Sequence, residues 1–198
     1  MTRYGLPYIL EDTTGALAPL AELVDIHDRL RLAVRCTPAA PTARDRGHGH
    51  TACTYTVFDT SRGAPRPPPV LAALEFGPGR GGGLEGGTVS FGVGGKAVPM
   101  QRYLTRASAL ASSKVRRFVG SDGQTYQWAR RTQPNQEWTC TNANGYVIAS
   151  YSLKAAGEPE YRGSSGCVFE LAEQFGHLAP EMLASLWIMR HIAQYDLA

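Results

Sequence analysis

The 198-residue chain is short of charge. Charged residues make up 19% of it and hydrophobic residues 43%, the reverse of the balance in a disordered chain. Neither sign dominates: 20 Lys and Arg face 17 Asp and Glu, for a net charge of +3. So small an excess gives no reason to expect nucleic acid as a partner. Cysteine is scarce and scattered. Cys36, Cys53, Cys140 and Cys167 form no Cys-x-x-Cys pair, which argues against the common zinc sites, and no metal is expected. Met1 to Glu11 holds no long apolar run, so no secretion signal is expected. Free thiols and a cytoplasmic location follow as expectations. There is no Gly-x-Ser-x-Gly nucleophile motif and no internal repeat. Gly95-Lys96 lacks the glycine spacing and the following Ser or Thr of a phosphate-binding loop. No cofactor is expected.

Turn residues, by contrast, are plentiful, with 22 Gly and 13 Pro. They concentrate in three stretches expected to be loops, 37–50, 61–69 and 77–87. Gly77, Gly79 and Gly82 match Gly-x-Gly-x-x-Gly, but more glycine and then a strand-like run follow. A dinucleotide site needs a helix to start there, so that backbone amides meet the pyrophosphate. The match therefore reads as a loop.

Between the loops the dominant signal has period two. Val24, Ile26, Leu30, Leu32, Val34 and Cys36 fall on even positions, with Asp25, His27, Arg29, Arg31 and Arg35 between them. That pattern predicts a strand, or two strands meeting near Asp28, with one face inward. Strand-type runs follow at Ala52–Thr60 and Val70–Phe76. Three hairpins are predicted next: 89–100 turning at Gly94-Gly95, 114–131 turning at Ser121–Gly123, and 138–153 turning at Asn142–Gly145. Cys167–Glu173 reads as a further strand.

The C-terminus has a different period. Residues 180–195 carry helix formers behind Pro180, and Met182, Leu183, Leu186, Trp187, Ile188, Met189 and Ile192 surround the whole axis. A helix that is apolar all round must be enclosed. It is too short for a membrane span and is interrupted by Arg190 and His191, so enclosure by the protein itself is predicted. The expected fold is mainly β. It is a single domain over 1–198, a closed antiparallel barrel of about twelve strands around a buried hydrophobic helix at 180–195.

Four segments carry a family resemblance. They are Lys114–Phe118, then Ser121–Trp128 with its Asp122-Gly123 and Tyr126-x-Trp128, then Val147–Tyr151, then Leu183–His191. Together they resemble an uncharacterised fungal family related to the tubby C-terminal domain and the phospholipid-scramblase-like proteins. The likeness covers roughly residues 52–197. It implies a twelve-stranded barrel around a hydrophobic helix, phosphoinositide or phospholipid binding, and peripheral attachment to membranes.

Charge is concentrated locally. From Lys96 to Arg131 there are eight basic residues and one acid, a local +7 that leaves −4 elsewhere. Arg102, Arg106, Lys114, Arg116, Arg117, Arg130 and Arg131 are the candidate ligand residues, for an anionic ligand such as a phospholipid or phosphoinositide headgroup. Phe118, Tyr126 and Trp128 share even positions and are expected inside the barrel, with arginine outside.

The alternative is a cofactor-independent lyase, isomerase or hydrolase acting on a small molecule. Its candidate residues are His191 as base, Arg190 as anion clamp and Glu181, all on the terminal helix. A third option is a protein-interaction module docking through Pro65–Pro69. His48 and His50 would need a third ligand to hold a metal. His27, between Asp25 and Asp28, reads as a surface residue.

Overall fold

The computed structural model describes residues 5–38, 53–77, 84, 86–108, 111–152 and 165–195. One continuous antiparallel sheet and one long helix organise it. In chain order the strands are β1 Tyr8–Asp12, β2 Leu20–Asp25, β3 Arg31–Pro38, β4 Cys53–Asp59, β5 Val70–Phe76, β6 Thr88–Phe91 and β7 Val98–Pro99. A one-turn helix α1, Met100–Tyr103, follows. The remaining strands are β8 Thr105–Arg106, β9 Val115–Val119, β10 Thr125–Arg130, β11 Gln136–Asn142, β12 Val147–Ser152 and β13 Cys167–Leu171. A 3-10 turn at Glu173–Leu178 leads into α2, Ala179–Tyr195.

All thirteen strands form one antiparallel sheet. Neighbours in the chain are neighbours in the sheet except for β7 and β8, and β1 pairs with β13, which joins the two halves. The edges of the sheet are β7 and β8, which are not hydrogen-bonded to each other. Among the described residues there are thirteen strands, in keeping with the expected number of about twelve, but the sheet is not closed by hydrogen bonds as a closed barrel would be. Chain connectivity brings the edges together instead. Only residues 100–104 separate β7 from β8, a stretch that reaches at most about 20 Å. A flat sheet of this size would hold its edges about 58 Å apart. The sheet must curl, and Met100 and Leu104, both fully buried, fill the gap from within.

The curl is what buries α2. Every residue from Met182 to Ile192 is buried, on all sides of the helix axis. Period-two alternation supplies the wall. Phe118, Tyr126, Trp128, Trp138, Cys140 and Tyr151 all lie in the core. Arg117 is exposed on the outer face, as alternation predicts, but Arg116 shares the inward face with Phe118 and is buried. Its guanidinium donates to the carbonyls of Leu104 and Ser113. Placing all the arginines outside is thus wrong at this position, because the side chain reaches strand-end carbonyls from within.

The expected turns fall where turn chemistry put them. β2 and β3 meet at Asp28, which takes a left-handed φ of 58°. The β11–β12 turn has Gly145 at φ 80°, and Asn142 Oδ1 accepts from the Asn144 and Tyr146 amides. His48, His50 and most of the 37–50 and 77–87 loops lie outside the described residues. The 61–69 loop contains turns and no strand.

Asp25, at the end of β2, is buried and ties down the start of β1. It accepts the Ile9 amide, the Arg29 amide and the Arg29 guanidinium. Burial alone would raise its pKa. The hydrogen bonds from Arg29 and the two amides outweigh that and hold it below 3.8. A depressed carboxylate stabilises the fold above its unfolded pKa and loses that contribution as pH falls through its folded value. The thermal midpoint should therefore drop below about pH 4 in the wild type. Asp25→Asn should show a shallower acid limb, and matching acid limbs in thermal scans from pH 2 to 7 would count against the tie.

Candidate functional site

The C-terminal end of α2 opens onto a cleft of about 340 Å³. Arg190, Gln194, Gly15, Arg130, Glu137 and Trp138 line it. Three distant parts of the chain supply these groups. Arg130 and Trp138 are opposite each other across β10 and β11, and Arg130 lies on the inward face two residues beyond Trp128. Arg190 comes from α2, and Gly15 from the turn after β1.

Arg190 is 8% exposed and held from several sides. Nη2 donates to the Gly15 carbonyl at 2.8 Å, and Nη1 to Asp12 Oδ2 at 3.4 Å. Its guanidinium carbon lies 4.5 Å from the Tyr151 ring centre and 5.0 Å from that of Trp187. Asp12 is the last residue of β1 and is fully buried. Its Oδ1 accepts the Thr14 and Gly15 amides, and its Oδ2 accepts the Tyr151 hydroxyl at 2.7 Å. Burial pushes the Tyr151 hydroxyl up from its ordinary pKa, which keeps it protonated as a donor. A buried arginine needs this kind of set, because an unpaired charge in the core is very costly.

Arg130 reaches the same cleft. Nη2 donates to Glu137 Oε1 at 2.9 Å. Two donors beside it have no acceptor among the described residues: Arg130 Nε and the indole N–H of Trp138, both buried. Buried donors are rarely left unpaired, so each asks for a partner. Both belong to residues of one cleft, and both want an acceptor atom.

Other hollows offer less. A cavity of about 430 Å³ under the 59–68 loop contains Arg62, which is already paired with Asp28 at 2.9 Å. That loop holds the Pro65–Pro69 run, which thus walls a hollow of its own loop.

The basic residues expected to act together are dispersed. Arg116 is inside and Arg130 lines the cleft. Arg102, Arg106, Arg117 and Arg131 are exposed, and Lys114 is half-buried. Arg102 and Arg117 meet at a separate groove near α1. The proposed catalytic trio is not brought together either. Glu181 and Arg190 are nine residues apart, about 13.5 Å along the axis and half a turn around it. Glu181 accepts the Ser121 amide near the opposite end of the helix. His191 stacks on Phe76 at 3.8 Å and meets Tyr195 at 4.6 Å, away from the cleft. Asp12, Gly15 and Glu137 escaped the sequence reading. A lone Asp at a strand end has no local signature of a helix partner 178 residues away.

Among the described residues no three His, Cys, Asp or Glu side chains gather as a metal site, and no helix is long and apolar enough to cross a membrane. No family model matches the chain, and comparison with curated proteins and with solved structures yields no match.

Proposed function

We propose that this protein binds a small anionic ligand, a carboxylate or phosphate, in the cleft at the C-terminal end of α2. The observation that carries the reading is the pair of unpaired buried donors, Arg130 Nε and Trp138 Nε1, beside two guanidinium groups. The field of the cleft is weak. Asp12 and Glu137 offset the two arginines, and the C-terminus of α2 contributes about half a negative charge. Recognition therefore rests on directed hydrogen bonds at short range. The finer form of the reading is a phospholipid or phosphoinositide headgroup whose phosphate sits against Arg130 and Arg190. The resemblance of residues 52–197 to the tubby-related family is what motivates that form.

Titration calorimetry with inorganic phosphate, acetate and inositol phosphates tests the reading. Arg130→Gln should weaken binding about 10- to 100-fold, as loss of a charge-assisted hydrogen bond worth about 1.5–3 kcal/mol predicts. Trp138→Phe keeps an aromatic ring, removes the donor and should weaken it less. Sedimentation with acidic and with neutral vesicles separates a headgroup from a free anion. No heat with any anion, or binding untouched by both substitutions, would overturn the proposal.

A further inference from the structure

The gap in the sheet has a chemistry of its own. β7 and β8 are two residues each, and β8 covers only part of β9: Thr105 pairs with Arg117 and Arg106 with Arg116. Carried one rung further, the register would set Tyr103 against Val119, but Tyr103 belongs to α1. The Gly120 amide bonds the Gln124 carbonyl, which turns the backbone of Gly120 toward β10. Antiparallel pairing alternates, so the N–H and C=O of Val119 point the other way, into the gap. Val119 is 58% exposed.

A groove of about 360 Å³ runs beside this free edge. Val98, Tyr103 and Phe118 give it an apolar lining, and Arg102 and Arg117 add two cations. Among the described residues no carboxylate lines it. Arg117 donates Nε to Gln127, and among the described residues neither Arg102 nor Arg117 forms an ion pair. From Val98 to Ser121 the sequence holds five basic residues and no acid.

We propose that this seam docks an extended acidic segment of a partner protein, which adds as a short strand along β9. Its backbone pairs with Val119, an apolar side chain enters the groove, and flanking carboxylates meet Arg102 and Arg117. Charge complementarity selects the occupant, and the free strand edge selects its shape. A bilayer offers anionic groups but no backbone donors and acceptors to complete a ladder. The site shares no residue with the cleft of Arg130 and Arg190, so either reading can fail without the other.

Fluorescence anisotropy with a labelled octapeptide alternating glutamate and valine tests it. Binding is expected for this peptide and not for its lysine-valine counterpart. The exposed double substitution Arg102→Glu/Arg117→Glu should weaken the acidic peptide at least tenfold and admit the basic one. Val119→Pro removes the edge donor without breaking a rung to β10, and it should also abolish binding. Circular dichroism checks that both variants keep their strands. No binding of the acidic peptide, or affinity unchanged by both variants, overturns the proposal. So does sedimentation with phosphatidylserine vesicles that the charge reversal abolishes while the peptide fails to bind, which would assign the seam to a membrane surface.

Discussion

Replacing Asp12 by alanine should lower the free energy of unfolding by about 3–5 kcal/mol, the range for breaking one side of a buried ion pair. The residue is fully buried at the end of β1, and among the described residues its carboxylate accepts from Thr14, Gly15, Tyr151 and Arg190. Its loss strands the Arg190 guanidinium, the Tyr151 hydroxyl and the amides of Thr14 and Gly15 together. Asp12→Asn is expected to rescue little. Its amide NH₂ would face the donors of Tyr151 or the turn, whichever way it is set. Asp12→Ala combined with Arg190→Met should recover much of the loss, because no buried charge is then left unpaired. Urea unfolding of the three variants measures this. A cost below about 1 kcal/mol for Asp12→Ala would show that the charges are solvated instead of enclosed.

A second large effect is expected where the sheet grips the helix. Trp128 is fully buried, and its indole N–H donates to Ser185 Oγ at 2.8 Å, which in turn donates to the Met182 carbonyl. Trp128→Ala should cost about 3–5 kcal/mol through lost burial and the cavity left behind. Ser185→Ala should cost about 1–3 kcal/mol, since the indole donor is then buried without an acceptor. In the Trp128→Phe background the same serine change should cost markedly less, because no donor remains to be stranded. A double-mutant cycle from denaturant midpoints gives the coupling. Additive costs would mean that the bond contributes nothing to docking α2.

How far these residues were legible in advance differs by type. Trp128, Tyr126 and Phe118 could be placed in the core from alternation alone, as could the helix from its apolar circumference. Arg116 could not, because period two names its face but not whether carbonyls wait there to accept it. The seam was also invisible, since β7 and β8 are too short to carry a period. The basic run from Lys96 to Arg131 read as one patch, but the fold sends Arg116 to the core, Arg130 to the cleft and Arg102 and Arg117 to the seam, and leaves Arg131 apart from all three.

Alternation, turn residues and an all-round apolar helix are local properties, and the chain settles them within a few residues of each other. They were enough to determine a mainly β protein of many short strands whose last helix has to be enclosed. Which side chains meet is another matter. The pairing of β1 with β13 sets Asp12 against a helix at the far end of the chain, and the register of β10 with β11 sets Arg130 beside Trp138. A slip of one residue in either ladder would turn those groups to the opposite face. Only the tertiary structure decides that register, because it is fixed by burying one common core from both halves of the sheet. The low overall charge of the sequence therefore did not foretell where charge would matter. The cleft and the seam exist because long-range pairing gathers a few arginines and leaves others at an open edge.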